Sequence, residues 1–206
     1  AISHPVLALG FPGEREVSPI IGLVAGRDFH QNGKQFSTSH LRMNMAVQPG
    51  FGGAPVLNMD GEVIGIVAAR IGDGASCHIL PIRAAEKIRS DMDRFGELRP
   101  GWVGVEVEDA PNQIEGSVAR VVDMKPETPA AKSGLLKGDI LLGIDNNKVA
   151  SIQDLVDAAY YLTAGQDAQI QIVRNGEKMD IAVSPALHPN ANASPLHAEA
   201  VAPAAE

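Results

Sequence analysis

Residues 49–67 read PGFGGAPVLNMDGEVIGIV, a glycine-rich turn followed by two apolar runs with Asp60-Gly61 between them. An Asp-Gly pair between β-branched runs predicts a β-hairpin, because glycine tolerates the positive φ that the tight turn requires. Similar short runs, separated by Gly and Pro, lie on both sides of it. Together they give six candidate strands, at residues 5–9, 17–24 (closed by Gly26), 36–40, 55–57, 63–67 and 77–82. Six short antiparallel strands predict a small β-barrel or sandwich over residues 1–83.

The pattern changes after Arg83. Apolar residues recur at helical spacing up to Phe95, and Gly96 follows where a helix would end, which predicts a linker helix within residues 84–98. The apolar positions of this helix are Ala85, Ile88, Met92 and Phe95. Residues 99–186 then mix strands and helices and predict a separate α+β domain. The predicted fold class is therefore mainly β with some α, and residues 187–206, which have no periodicity, are expected to be disordered.

Composition excludes several classes of function. The 206 residues include 17 Lys and Arg against 25 Asp and Glu, a net charge of −8, and such an acidic surface argues against nucleic-acid binding. No apolar run approaches the ~20 residues that span a bilayer, so no membrane span is predicted. The single cysteine excludes an internal disulfide. The chain begins at Ala1 without a signal-peptide pattern, which predicts a fragment of a longer gene product.

The segment from Pro49 to Ile66 also resembles a known family. Its loop and hairpin are similar to the nucleophile loop and following strand of the trypsin-like serine proteases of the HtrA (Deg) family. The segments 8–13 and 77–81 resemble the first and last strands of that family's second barrel, and the resemblance covers residues 4–187. It implies a six-stranded, trypsin-like C-terminal β-barrel in residues 1–83 and a periplasmic or otherwise extracytoplasmic location.

The resemblance places the family's catalytic serine at Gly52 and the preceding asparagine at Phe51. Glycine cannot attack a carbonyl, and the family's catalytic His and Asp belong to an earlier barrel that residues 1–83 do not contain. We therefore predict no catalytic residue, with Gly50, Phe51 and Gly52 as a relic oxyanion loop. Other candidate side chains are interpreted as ordinary barrel residues: Ser37, Ser39, His40, Ser76, Cys77 and His78. The six histidines have no metal-ligand spacing, so neither a metal nor a cofactor is predicted.

Residues 99–186 resemble a PDZ domain, because the segment 129–141 matches its central signature and the segment 101–105 its carboxylate-binding loop. Two glycines around an apolar pair let backbone N–H groups converge on a terminal carboxylate. The following strand, 103–107, offers an edge for a peptide, and the helix that opens at Ser151 forms the other wall. The predicted peptide-binding residues are Gly101, Trp102 (expected exposed at the rim), Val103, Gly104, Val105, Ile152, Leu155, Val156 and Ala159.

Three functions remain open on the sequence. The first is a catalytically inactive HtrA-like pseudoprotease whose PDZ domain binds peptides or protein C-termini that end in an apolar residue. The second is an active HtrA-type serine endopeptidase of which this chain is only a part or a variant. The third is a structural or assembly protein in which barrel and PDZ domain make the contacts of a homo-oligomer or of a hetero-assembly with a protease.

Overall fold

The computed structural model describes residues 2–14, 16–29 and 38–187. These residues divide into two units, one that extends to Leu98 and one that begins at Arg99. The candidate turn at Asn32-Gly33, the candidate residue Ser37 and residues 188–206 lie outside the described residues.

The first unit is a closed antiparallel barrel, which confirms the predicted six-stranded architecture. Around the barrel the strands follow the order β1-β2-β3-β6-β5-β4. Their bounds are β1 Pro5–Gly10, β2 Ser18–Phe29, β3 Ser39–Asn44, β4 Pro55–Leu57, β5 Val63–Ile71 and β6 Ser76–Pro81. The predicted end of the second strand at Gly26 is wrong. A register shift leaves Ala25 unpaired as a bulge between Val24 and Gly26, Gly26 pairs with Arg42, and β2 continues to Phe29.

The predicted hairpin from β4 to β5 is confirmed, and its turn contains a local hydrogen-bond network. The Asn58 side-chain oxygen accepts the N–H groups of Asp60 and Glu62, at 3.0 and 2.9 Å. Gly61 has a φ of 82°, the left-handed region that favours glycine. The turn chemistry therefore determines the pairing register of the two strands.

A single helix, α1 (Ile82–Phe95), follows the barrel and packs against β5 and β6. It ends at Gly96, whose N–H donates to the Met92 carbonyl, as the sequence predicts. The predicted apolar face is only partly correct, because Met92 and Phe95 are substantially exposed. Asp91 is buried instead and forms an ion pair with Lys87 one turn earlier.

The second unit is an α+β domain built on one sheet of order β13-β12-β10-β9-β8. Its strands are β7 Gly101–Trp102, β8 Val105–Ile114, β9 Ser117–Met124, β10 Ile140–Ile144, β11 Asn147–Lys148, β12 Ala168–Arg174, β13 Glu177–Val183 and β14 Ala186–Leu187. Its helices are α2, Pro129–Ser133, and α3, Ile152–Tyr160. Within the described part of the chain, no helix is long and apolar enough to cross a membrane.

Two sequence predictions for this unit need correction. The expected strand 103–107 begins only at Val105, because Gly104 has a φ of 74° and Val103 and Gly104 form a break between β7 and β8. The predicted disorder of residues 187–206 is also wrong for its first residue, Leu187. Leu187 pairs with Gly101, and Ala186 pairs with Trp102, so that β14 covers the start of the domain.

Candidate functional site

The barrel loop that resembles a nucleophile loop is tied to the barrel by its backbone. The Gly50 carbonyl accepts the Phe11 N–H at 3.3 Å, and Gly53 donates to the Val67 carbonyl at 2.9 Å. Gly50 has a φ of 97°, and a Cβ there would lie 2.4 Å from the Phe11 carbonyl oxygen. The loop conformation therefore requires glycine at position 50.

The three residues of the predicted relic oxyanion loop have different environments. Phe51 is buried, and its ring occupies the space that a Cβ on Gly10 would need, at 2.5 Å. Its N–H donates to the Gln48 carbonyl at 3.2 Å, so it is not available to a substrate oxygen. Gly52 is exposed, and a Cβ there would meet nothing within 4 Å. Position 52, where the sequence analysis places the family's catalytic serine, has space for a side chain but is a glycine.

A cavity of about 380 Å³ lies beside this loop in the barrel. It is lined by Ala46, Val47, Gln48, Pro49, Arg70, Asp73, Gly74 and Ala75. The Arg70 guanidinium donates to the Asp73 backbone carbonyl at 3.3 Å and occupies the space that a Cβ on Gly74 would need. Five of the lining residues are small or apolar, and three are polar: Gln48, Arg70 and Asp73.

The alternative nucleophile Cys77 is buried in the barrel core. Burial raises the pKa of its thiol from 9.0 to about 11, so the nucleophilic thiolate is essentially absent at neutral pH. The alternative bases have neighbours that the sequence analysis did not predict. His78 lies 3.0 Å from the Asp28 carboxylate, which also accepts two hydrogen bonds from Arg42. The register of β2, β3 and β6 brings these side chains together, and no local sequence signal shows it.

The candidate carboxylate loop of the second unit is held from several sides. Gly101 donates to the Leu162 carbonyl at 2.9 Å, and the Val103 carbonyl accepts the Ala130 N–H at 2.8 Å. A Cβ on Gly104 would lie 2.6 Å from the Thr128 methyl group. In contrast, the N–H groups of Val103 and Gly104 donate to no backbone carbonyl of the described residues. Adjacent N–H groups beside a left-handed residue form a concavity suited to an anion.

Strand β8 follows this loop and lies at the edge of its sheet. It pairs with β9 on one side, and no described strand pairs with its other side. Ser151 is the N-cap of helix α3 and forms the predicted capping box, in which Ser151 and Asp154 exchange side-chain-to-backbone hydrogen bonds at 3.2 and 3.0 Å. An edge strand beside a capped helix can accept a peptide as an additional strand.

The predicted groove residues fall into two groups. Val103 and Leu155 are each only 7% exposed and belong to the hydrophobic core of the domain. The half-buried group is Val105, Ile152, Val156 and Ala159, of which Val105 and Ala159 also pack against that core. Trp102, expected to be exposed, is half-buried, and its ring lies 2.9 Å from where a Cβ on Gly104 would stand. The sequence analysis did not include Ala158, which is buried in the same core.

Comparison with known proteins agrees with this geometry. A family model described as PDZ domain matches residues 101–184. A periplasmic serine endoprotease of Halomonas elongata, described as DegP-like, is 31% identical over 156 residues, which are 70% of this chain and 33% of that protein. A DegP-like relative from Pseudomonas putida is 30% identical over 191 residues, which are 87% of this chain and 40% of that protein. The chain is homologous to the DegP/HtrA serine endoproteases.

The homology covers only part of those proteins, because the chain spans about 33 to 42% of the length of the curated relatives described as DegP-like. The HtrA-type protease AlgW, solved with a tripeptide, shares the fold with a TM-score of 0.65 at 24% identity. That match covers 92% of this chain and 66% of the solved one. The resemblance to the HtrA family and the presence of a PDZ domain are thus confirmed.

An ion pair between Asp139 and Arg174 stabilises the elements that hold the candidate carboxylate loop (residues 101–105, the PDZ loop). Asp139 is 1% exposed and accepts hydrogen bonds from Arg174 at 2.7 Å and from the Leu136 N–H at 2.8 Å. Arg174 also donates to the Gly134 carbonyl at 2.9 Å, and the hydrogen bond that it donates to the Asp139 carboxylate raises its pKa. These contacts fix the end of α2, and the Ala130 N–H of the same helix holds the loop at Val103.

Proposed function

We propose that this chain is a catalytically inactive, HtrA-like protein that captures peptides or protein C-termini in its PDZ domain. The unpaired side of β8, next to the N–H groups of Val103 and Gly104, carries this proposal. A peptide would extend the sheet, its terminal carboxylate would accept those N–H groups, and an apolar terminal side chain would contact Val105 and Val156. Because the relatives are named periplasmic, the proposed location is extracytoplasmic.

The proposed inactivity rests on the barrel loop. Gly52 carries no side chain, and Cys77 is buried and protonated at neutral pH. Acyl transfer in trypsin-like proteases requires a nucleophile with an oriented base, and backbone donors without them contribute little turnover. An active endopeptidase would need a nucleophile and an oriented base from residues outside this chain. Peptide binding is therefore the function that this chain's own residues support.

The test is one peptide with an apolar last residue, prepared as a free acid and as a C-terminal amide. We expect the acid to bind in the micromolar range, because ordering a short peptide offsets much of the gain from contacts. The amide should bind at least about tenfold more weakly, since it loses the charge-assisted hydrogen bonds. Isothermal titration measures both, and equal affinities would refute capture of the carboxylate.

A pair of variants tests the helical wall. Val156→Glu places a charge in the half-buried lining and should abolish binding, whereas Gln153→Glu adds the same charge at an exposed position of α3. Val156 is preferable to Leu155, whose burial in the core would make a charged variant unfold the domain. Unchanged binding by Val156→Glu would show that α3 does not line the site.

Assembly is the second candidate, and the outer face of the barrel supports it. Residue Leu7 pairs with Ile21 and with Leu57, which places one apolar surface across three strands. Ile21 is 77% exposed and Leu23 is 45% exposed. The outward residues of this face carry no charge: Pro5, Leu7, Leu9, Pro19, Ile21, Leu23, Leu57 and Val63. The proposed partner is a second copy of this chain, because an uncharged face can pack on itself around a twofold axis.

Sedimentation of the wild type tests this second candidate. Ile21→Glu should lower the mass in solution to that of the monomer, whereas Leu136→Glu, at an exposed apolar position of the PDZ domain, should leave it unchanged. A wild-type chain that is monomeric at high concentration would refute assembly through this face.

A further inference from the structure

We propose that the PDZ groove selects ligands with lysine or arginine as the penultimate residue, recognised by Glu106 and Asp123. This inference rests on the proposed capture of a peptide along β8 and specifies the chemistry of that peptide.

The alternation of side chains along a strand decides which ligand residue faces which protein residue. In β8, Val105 and Val107 pack against the domain core, so Glu106 and Glu108 point to the opposite face of the sheet and are exposed. A peptide added to the edge alternates in the same way. When its last side chain lies against α3, its penultimate side chain lies on the Glu106 face.

The Glu106 face carries an acidic pair without a cation of its own. Glu106 lies directly opposite Asp123 on β9, and both residues are exposed. Neither forms an ion pair with another described residue. The register shift after Glu106 adds Val122 to β9, and this extra residue places Asp123 on the outer face while Met124 packs on the core.

Two like charges directly opposite each other across a sheet are destabilising. A ligand cation beside them would relieve that repulsion as well as form its own ion pairs, which gives the site a preference for a basic side chain. Lys125 follows two residues after Asp123 in the sequence, and it forms no ion pair with another described residue.

The next acidic residue along the strand does not offer the same site. Glu108 lies opposite Arg120 and forms an ion pair with it. A cation at the fourth residue from the end of the ligand would meet an acid that is already neutralised. The preference should therefore be specific to the penultimate position, which separates it from a general attraction to an acidic protein.

The experiment compares free-acid peptides that differ at one position. Penultimate Lys should bind about threefold to tenfold more tightly than Ala at low ionic strength, as expected for exposed ion pairs, and penultimate Glu more weakly than Ala. Lys at the fourth residue from the end should change the affinity less than about twofold. In 0.5 M salt the penultimate preference should shrink to less than about twofold, because salt screens exposed charges.

A double variant, Glu106→Gln with Asp123→Asn, should bind the Lys and Ala peptides equally. The matched control is Glu177→Gln with Asp180→Asn, which removes the same charge from β13 at the opposite edge of the sheet and should retain the preference.

Equal affinity of the wild type for Lys and Ala peptides, with acid still preferred to amide, would overturn this inference alone. Failure of every free acid to bind would overturn the proposed function as well. A Lys preference that survives in the Glu106/Asp123 double variant would overturn the assignment of these residues.

Discussion

The two glycine-rich loops, residues 50–54 of the barrel and 101–105 of the PDZ domain, differ in the room that they leave for a side chain. At Gly52 a Cβ would meet nothing within 4 Å, and the residue does not have a positive φ. At Gly104 a Cβ would lie 2.6 Å from Thr128, and at Gly101 it would lie 2.7 Å from Leu162. Position 52 of the barrel loop can accept a side chain, whereas positions 101 and 104 of the PDZ loop have no room for one.

Under the proposed function, this difference explains how catalysis can be lost while peptide capture persists. Nucleophilic catalysis cannot proceed without the nucleophile's side chain, so on the proposed assignment a single substitution at position 52 removes it without disturbing the fold. Capture of a carboxylate depends on backbone N–H groups, which every sequence has when the loop keeps its conformation. The PDZ loop therefore depends on Gly101 and Gly104 rather than on the identity of a reactive group.

Each unit contains an intrinsic reporter for testing this comparison. The single tryptophan, Trp102, lies in the PDZ loop, and the single cysteine, Cys77, lies in the barrel core. Tryptophan fluorescence therefore follows the PDZ domain alone, and thiol reactivity follows the barrel alone.

The largest expected effect is that of Gly104→Ala. The new residue would adopt a left-handed φ and contact Thr128, so the PDZ domain should lose about 3 kcal/mol of unfolding free energy. Binding of the free-acid peptide should weaken at least about tenfold, because the N–H groups shift with the loop. Urea unfolding followed by Trp102 fluorescence and titration of the peptide measure the two effects.

Gly116→Ala is the matched control for this prediction. Gly116 also has a positive φ, 89°, but a Cβ there meets nothing within 4 Å. Its alanine variant should lose only the conformational part, about 1 kcal/mol, and should bind the peptide normally. A Gly104→Ala variant as stable as Gly116→Ala would show that the loop relaxes and that close packing does not hold it.

The sequence predicts most of the fold where the signals are local. The Asp60-Gly61 turn, the capping box at Ser151 and the helix end at Gly96 each depend on chemistry within a few residues, and the structure confirms them. The family resemblance supplies the barrel and the PDZ domain as wholes.

The features that the sequence does not predict depend on distant contacts or on bulges. The extra residue Val122 changes which face of the sheet Asp123 occupies, and no composition signal marks it. Leu187 is ordered because it pairs with Gly101, which is 86 positions earlier in the chain. The burial of Leu155 follows from tertiary packing, since the helical pattern alone cannot separate core positions from groove positions.

A smaller effect concerns the pH dependence of the barrel. The folded state raises the pKa of Cys77 from 9.0 to about 11, so the folded barrel holds this proton more tightly than the unfolded chain. The resulting stability is fully present below pH 9 and is lost as the pH rises through about 11, to the extent of ~2.7 kcal/mol. Cys77→Ala should remove this loss and flatten the stability curve over the same window.

Other groups titrate in that window, so the informative quantity is the difference between the two curves. Urea unfolding followed by circular dichroism gives the barrel transition, and Trp102 fluorescence identifies the transition of the PDZ domain. Parallel curves for the wild type and Cys77→Ala would show that the thiol ionises equally well in both states and that the barrel interior is open to water near β6.

The smallest expected effect on stability is that of Gly52→Ser. It contrasts most directly with Gly104→Ala, because position 52 has room for a side chain and position 104 does not. The serine would extend into open space without backbone strain, so the unfolding free energy should change by less than about 0.5 kcal/mol. The variant should nevertheless hydrolyse neither unfolded proteins nor ester substrates above the wild-type background. A serine hydroxyl is a weak nucleophile unless an imidazole accepts its proton, and the proposal assigns no such base to this chain. A fluorogenic ester assay and the mass of the protein after treatment with a serine-directed phosphonate measure this. Turnover, or a stoichiometric phosphonate adduct confined to the variant, would contradict the proposal, because it would mean that the barrel retains an oriented base beside position 52 and lacks only the nucleophile.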